Sequence, residues 1–425
     1  MGTRARCDQL AFWFAGLTVA LTMLAGCQSQ PKSPTERRMY SFWPPFPAEP
    51  RIQFLASYTS SEDVEPAKTS RLEEIVFGKD AAKAAAIDKP YGVAIKGGRI
   101  YVADMRGKAL VVLDLVRKQT RLVGVSGMNR LEHPVAVTVA DDGMIYVADN
   151  GRGAVFVYNK DEKYTRLFGF DKFKPASLAV HGDRLYATDI AGQNVVIFNR
   201  FDGKRLGTFG SVGDEDGQFR VPIGVSTDRK GDVYVVDLMR CRLQKFSPDG
   251  RFLSGMGSLG DHIGAFARPK HIAVDTDGII YVVDAAFQNV QMFDDQYRPL
   301  MHFGAMGDFP GAMNLPAGIA VSDEGLETFH DRLHPGFDAR RIVVVSNQFG
   351  PTKVVVYALG ERRPDYSAQD MAASATEISQ GVGVPSEEQL KMQNPGGVEP
   401  LNEQKTPGAQ APAPPADPSA PPEPR

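Results

Sequence analysis

Five times in this chain a short apolar run closes on the same residue: "RIYVAD" at Asp104, "IYVAD" at Asp149, "LYATD" at Asp189, "VYVVD" at Asp237 and "IYVVD" at Asp284. "IVVVSN" is a degenerate sixth copy, with Ser346 in the Asp place. A Pro and a strand of small and β-branched residues precede each run: "PYGVAI", "PVAVTV", "PASLAV", "PIGVST", "PKHIAV" and "PAGIAV". These prolines (Pro90, Pro134, Pro175, Pro222, Pro269, Pro316) are 44, 41, 47, 47 and 47 residues apart. A third strand follows each run, as in "ALVVLD" or "NVQMFD", and then an outer strand such as "KRLGTFG", "RFLSGMG" or "RPLMHFG". One such unit cannot bury its apolar faces alone, so copies must stack on one another. Four strands per unit, six units and a period of about 45 residues predict an all-β, six-bladed β-propeller.

The segment "FGSVGDEDGQFRVPIGVSTDRKGDVYVVDLMRCRLQKFSPDGRFL" (209–253) resembles the NHL repeat over its whole length, as do the next two copies. The first three are looser, and the resemblance covers residues 87–360. It implies an NHL-type propeller. WD-repeat and kelch propellers are disfavoured, because there is no Gly-His…Trp-Asp pair and both Trp, Trp13 and Trp43, lie outside the repeats.

The sixth unit runs from "KVVVYA" into "LGERRPDYS" and lacks an outer strand. "RIQFLASY" (51–58) resembles the outer strands of other units. Its alternation puts Ile52, Phe54, Ala56 and Tyr58 on one face and Arg51, Gln53 and Ser57 on the other. We therefore expect it to be the fourth strand of blade six, closing the ring and removing an exposed edge. The expected propeller spans 51–360. A Pro-rich tether (27–50) precedes it, ending in the extended "FWPPFPAEP". A short helix is expected over 70–86, where Ser70 and Glu73 have capping-box spacing. Residues 361–425 read as a disordered tail, with ten Pro between Pro395 and Arg425.

At the N-terminus, Arg4 and Arg6 precede an apolar run from Leu10 to Ala25, which is short for a spanning helix and fits the core of an export signal. Leu24-Ala25-Gly26-Cys27 resembles the bacterial lipoprotein box. The resemblance implies that residues 1–26 are a signal peptide, that Cys27 is lipidated, and that Gln28, not being Asp, sorts the protein to the outer membrane. After such cleavage Cys27 and Cys241 are the cysteines that remain, so stability must come from packing. The net charge of −3 gives no electrostatic case for nucleic acid or acidic membranes.

Recurrence argues that Asp104, Asp149, Asp189, Asp237 and Asp284 are structural, bonding backbone N–H groups in the turn after strand two. "GMGSLG" (255–260) matches a dinucleotide-binding pattern but leads to a strand, so it reads as a propeller turn. His133 and His271 lie near the starts of inner strands two and five, where either could face the channel. Two places after each Pro stand Gly92, Ala136, Ser177, Gly224, His271 and Gly318. Small residues there suit closely packed inner strands, and one His does not make a metal site. His330 and His334 have i,i+4 spacing in an insertion (323–340) expected on the face opposite the usual binding face. Arg240 and Arg242 flank Cys241 and could lower its pKa. Arg106, Lys108, Arg152, Arg240 and Arg242 place basic groups on the strand-two-to-three turns of three blades.

These features favour a lipid-anchored binding or scaffold propeller of the cell envelope that engages a protein or anionic polymer through its loop face. No catalytic residues, metal or cofactor are expected. The runner-up is a metal-dependent enzyme resembling amidating lyases or lactonases, with His271 and channel carboxylates at its centre. Propellers host both classes.

Overall fold

Residues 39–65 and 85–376 are described in the computed structural model of this chain. Blade one is an antiparallel meander of Pro90–Lys96, Arg99–Asp104, Ala109–Asp114 and Gln119–Val123, counted from the inside outward. Four more four-stranded blades follow, with inner strands that begin at Pro134, Pro175, Pro222 and Pro269. Blade six contains Pro316–Ser322, Phe337–Asn347 and Val354–Arg362. Each inner strand packs against those of the two neighbouring blades, and the sixth packs against the first. The described residues form a closed six-bladed propeller.

The burial pattern follows from this stacking. The second and third strands are covered on both faces by adjacent blades, so Ile145–Asp149 and Ala154–Tyr158 are buried at every position. That is why they read as continuous apolar runs and not as alternating ones. Outer strands such as Tyr164–Gly169 are largely exposed. The core is therefore a set of apolar seams between blades. Tyr101, Val112, Val147 and Phe156 fill the seam between blades one and two, and equivalent sets fill the other five.

Ring closure is as the sequence predicts. Ile52–Tyr58 pairs antiparallel with Val354–Arg362, from Ile52 opposite Leu359 to Tyr58 opposite Val354. The expected simple alternation is corrected, because the register shifts between Phe54 and Ala56. This bulge turns the strand over part-way along. Ile52 and Phe54 pack in the seam toward blade five, while Leu55, Ala56 and Tyr58 pack in the seam toward blade one. Gln53 is fully buried and not on a solvent face. Its side chain donates to the Arg332 carbonyl and accepts from the His334 N–H, tying the closing strand to the 323–340 insertion.

The expected tether is folded over its described part. Phe42–Trp43 adds a fifth strand outside Ile52–Gln53, and both aromatic side chains are buried. Order also continues past residue 360. A short helix, Ala368–Ala372, buries Met371 in the seam between blades six and one, and Tyr40 bridges to Ala375. The helix expected over 70–86 falls almost wholly outside the described residues, as do Cys27 and the Pro-rich segment 395–425.

Deleting 51–58 strips apolar side chains from two seams at once. It should cost about 5 kcal/mol or more, given roughly 1.5–3 kcal/mol for each large apolar side chain buried. Removing 395–425 should leave the thermal midpoint unchanged. Equal midpoints for the 51–58 deletion and the parent would disprove the role of this strand.

Candidate functional site

The connections between strands two and three, and those leading into each inner strand, form one face of the propeller. The repeated carboxylates organise that face. In blade four the Asp237 carboxylate accepts from the N–H groups of Met239 and Arg240 in the turn. It also accepts from Arg220 and Val221, just ahead of the inner strand. Asp104, Asp149, Asp189 and Asp284 likewise bond the turn after strand two and the approach to their own inner strand. Each carboxylate thus staples two loops together. Four residues after each Asp comes a left-handed residue: Lys108, Gly153, Gln193, Cys241 and Gln288, with φ between 50° and 59°.

The sixth copy is corrected by register. Pro316 lies opposite Asn347, just as the other prolines lie opposite their Asp, so Asn347 and not Ser346 holds the Asp place. Asn347 donates to the Ala312 carbonyl. Ser346 instead accepts from the Gly318 N–H and donates to the Tyr91 carbonyl, joining blades six and one.

The rim cations sit on this face, and their neighbours take up much of their charge. Arg106 pairs with Asp88 at 3.2 Å and Arg242 with Asp216 at 2.5 Å. Arg240 lies 3.7 Å from Asp214 and donates to the Glu215 and Gln218 carbonyls. Arg152 donates to the Met128 and Arg130 carbonyls, 3.8 Å from Glu132. Lys108 is exposed. Cys241 is buried and its thiol is pushed up by burial and by Asp284 and Asp237, so the flanking arginines do not activate it. The run 255–260 leaves the outer strand Phe252–Met256 and reaches Pro269–Val274 without a helix, so it cannot present a dinucleotide site.

At the axis the inner strands approach so closely that a side chain is excluded at two positions and tightly confined at a third. A Cβ on Gly318 would lie 2.3 Å from the Tyr91 carbonyl oxygen, and one on Gly92 would lie 2.6 Å from the Ala136 Cα. One on Gly224 would lie 3.1 Å from the His271 Cα. With no side chain at Gly224, His271 reaches past blade four to Ser177 of blade three, at 3.1 Å from Nε2 to Oγ. Ser177 Oγ also accepts from the Val225 N–H. Burial pushes the imidazole down to about 4. His133 is exposed. His334 is buried against Tyr40, Phe42 and Tyr366 and bonds Ser374 and the Gly336 N–H, whereas His330 is exposed, so these two do not share a site. Among the described residues no three His, Cys, Asp or Glu side chains converge as a metal site.

One residue of this face escaped sequence reasoning. In every blade the register of the inner strand shifts just after its Pro, so the residue that follows the Pro stands in a bulge at the loop end of the strand. At that place stand Tyr91, Val135, Ala176, Ile223, Lys270 and Ala317. Lys270 is the single charged member and is only 4% exposed. Its Nζ donates to Gln348 Oε1 at 2.7 Å and sits 5.6 Å from the Tyr91 ring centroid. Burial, then Arg268 and Lys89, push it down to about 7. Aligning the repeats at the position after each Pro would have exposed this lone Lys.

No protein-family profile matches the chain. Among solved structures it is similar to a protein of unknown function from Bacteroides thetaiotaomicron, with 16% identity and a TM-score of 0.50, over 72% of this chain and 75% of that one. It also resembles a gluconolactonase from Xanthomonas campestris (14% identity, TM-score 0.45, 79% of this chain and 100% of that one). A streptogramin B lyase is similar at 13% identity and a TM-score of 0.45, over 64% of this chain and 94% of that one. At these identities the likeness is one of fold.

Replacing Asp237 with Ala should leave several loop N–H groups without an acceptor and cost about 2–4 kcal/mol, at roughly 1–3 kcal/mol per unsatisfied buried group. Urea denaturation would read this, and a loss below about 0.5 kcal/mol would contradict the staple. His271 supplies a pH test. Its folded pKa lies below its unfolded one, so the unfolded chain binds more protons between about 4 and 6.5. Stability should therefore rise with pH across that window and fall on acidification, with about 3 kcal/mol at stake. His271→Gln should flatten this part of the stability profile; an unchanged profile would contradict the assignment.

Proposed function

We propose that this chain is a lipid-anchored, NHL-type propeller of the bacterial cell envelope that binds a protein or an anionic polymer through its loop face. The observation that carries this reading is how the polar groups of that face are used. The repeated carboxylates are taken up by backbone N–H groups, and His271 is taken up by Ser177. Cations without an acidic partner remain on that face. Lys89, Arg268 and Lys270 have no ion-pair partner among the described residues, and Lys108 is exposed at the rim. A rigid ring presenting such a face suits recognition by charge and shape, which acts mainly through association rate and specificity.

Anchoring rests on Leu24-Ala25-Gly26-Cys27 after the apolar run, and Gln28 favours the outer membrane. Acyl chains on one Cys give a firm anchor, at roughly 0.8 kcal/mol per buried CH₂. Among the described residues no helix is long and apolar enough to cross a membrane.

Cys27→Ser should abolish lipid labelling and leave unprocessed or soluble protein; a processed, membrane-bound variant of unchanged mass would refute the anchor. The binding reading is tested by cross-linking in the envelope followed by co-purification. Replacing Arg106, Arg152, Arg240 and Arg242 together with Ala should keep the fold and weaken capture of the native partner by on the order of tenfold at low salt, less at high salt. His271→Ala should leave capture intact. Capture untouched by the rim changes, together with a divalent ion lost on His271→Ala, would instead support a metal-dependent enzyme.

A further inference from the structure

We propose that the channel mouth over blade six is a binding site for a small dianionic group, a phosphate or a dicarboxylate, held by Lys270, Arg268 and Lys89 with Tyr91 and Gln348 as its walls. This rests on the reading of the loop face as a binding face and names the chemistry it takes.

The geometry comes from three blades. Lys270 stands in the bulge between the Pro269–Asp284 and His271–Val283 pairs of blade five. Tyr91 stands in the bulge between Pro90 and Val93 of blade one. Between them blade six carries only Ala317 at the corresponding place, fully buried, so Lys270 can extend across it to Gln348. Arg268 stands two residues before Lys270 on the approach to the blade-five inner strand, and Lys89 stands on the approach to that of blade one. Both act electrostatically on the Lys270 ammonium.

The like charges of Arg268 and Lys89 disfavour the Lys270 ammonium, and a buried ammonium without a counter-charge is expensive. Elsewhere on this protein cations in crowded places have carboxylates. Arg341 is buried against Asp275 and Asp323, and Lys245 lies between Asp228 and Asp232. The Lys270 cluster has only a neutral amide and aromatic rings: Gln348, Tyr91 for Lys270, and Phe349 for Lys89 at 5.4 Å. An arrangement of three cations with acceptors withheld is completed by an anion, and two negative charges match it better than one. Phe349, half exposed beside Lys89, offers an apolar surface to whatever carries the dianion.

The protonation state supports the same site. The groups facing Lys270 are Arg268 from blade five, Lys89 and Tyr91 from blade one, and Gln348 from blade six. The Tyr91 phenol is pushed up to about 12 by burial and stays neutral. Lys270, pushed down to about 7, is partly deprotonated at neutral pH, and a bound dianion favours its charged form. Binding therefore takes up a proton and tightens as pH falls through about 7.

The test is calorimetric titration of the purified full chain with inorganic phosphate and, separately, with succinate at low ionic strength. Binding of either with a Kd of about 1 mM or below supports the site, and which of the two binds tells phosphate from dicarboxylate. Lys270→Met and Arg268→Gln should each weaken binding at least tenfold, while Lys204→Ala, exposed on the opposite face, should not. Succinate carries two charges throughout pH 6.5–8.5. Its affinity should rise about tenfold from the upper to the lower end, and Lys270→Arg should bind with a flat profile. Thermal midpoints of the variants establish that they are folded. Binding of neither ion, or equal binding by parent, Lys270→Met and Arg268→Gln, overturns the proposal. If these results coincide with loss of partner capture on rim substitution, the binding role stands and only this site falls.

Discussion

The antiparallel pairing of Ile52–Tyr58 with Val354–Arg362 is the contact on which the rest of the propeller depends. A ring of blades has no central core; its apolar surface lies in the seams between them. Opening one seam exposes two broad sheet faces, so cooperativity needs the last blade to be whole. The chain achieves this by bringing its N-terminal strand to a partner some 300 residues away in sequence. The entropy of closing so long a loop grows only logarithmically with its length. The bulge at Leu55 adds something a regular strand could not. By turning the strand over, it lets a seven-residue strand place apolar side chains on both sides of blade six.

With the ring closed, the loop face is set by a repeated electrostatic device. Each Asp is both the acceptor for its turn and the acceptor for one or two N–H groups that lead into its inner strand. The approach loop is thereby held over the turn, and the Pro that follows starts a strand from a fixed position. The register shift after each Pro then leaves one residue per blade in a bulge beside this face. Tyr91 and Lys270 occupy that place in blades one and five, and so the fold positions them without any dedicated loop. Close backbone approach at Gly92 and Gly318 joins the inner strands of blades six, one and two around the axis.

Charge is distributed unevenly between the two faces. On the face opposite the loop face, a cleft of about 200 Å³ at the ends of inner strands four to six is lined by Asp228, Asp275 and Asp323. Those carboxylates are matched by Lys245 and Arg341. On the loop face the outer arginines are matched too, while the cations nearest the axis are not. A surface charge with a local partner contributes little to steering, and an unmatched one contributes more.

Much of this was legible in the sequence. The period of the Pro and Asp residues specified blade number, and the missing outer strand of the sixth unit specified that something must close it. Both follow from local pattern, because every blade must solve the same burial problem. Residue-level placement was less accessible. Asn347 rather than Ser346 holds the Asp place because register, not the apolar run, sets the position. Gln53 is buried because the 323–340 insertion folds back onto the closing strand, a contact between residues nearly 280 apart in sequence. The rim arginines were visible, but their acidic partners come from the preceding loops and are brought near only by folding. Lys270 was visible as a lone Lys in a column of uncharged residues. That Arg268 and Lys89 join it, from two blades separated by a third, was decided by closure of the ring, since blades five and one become near neighbours only around the circle.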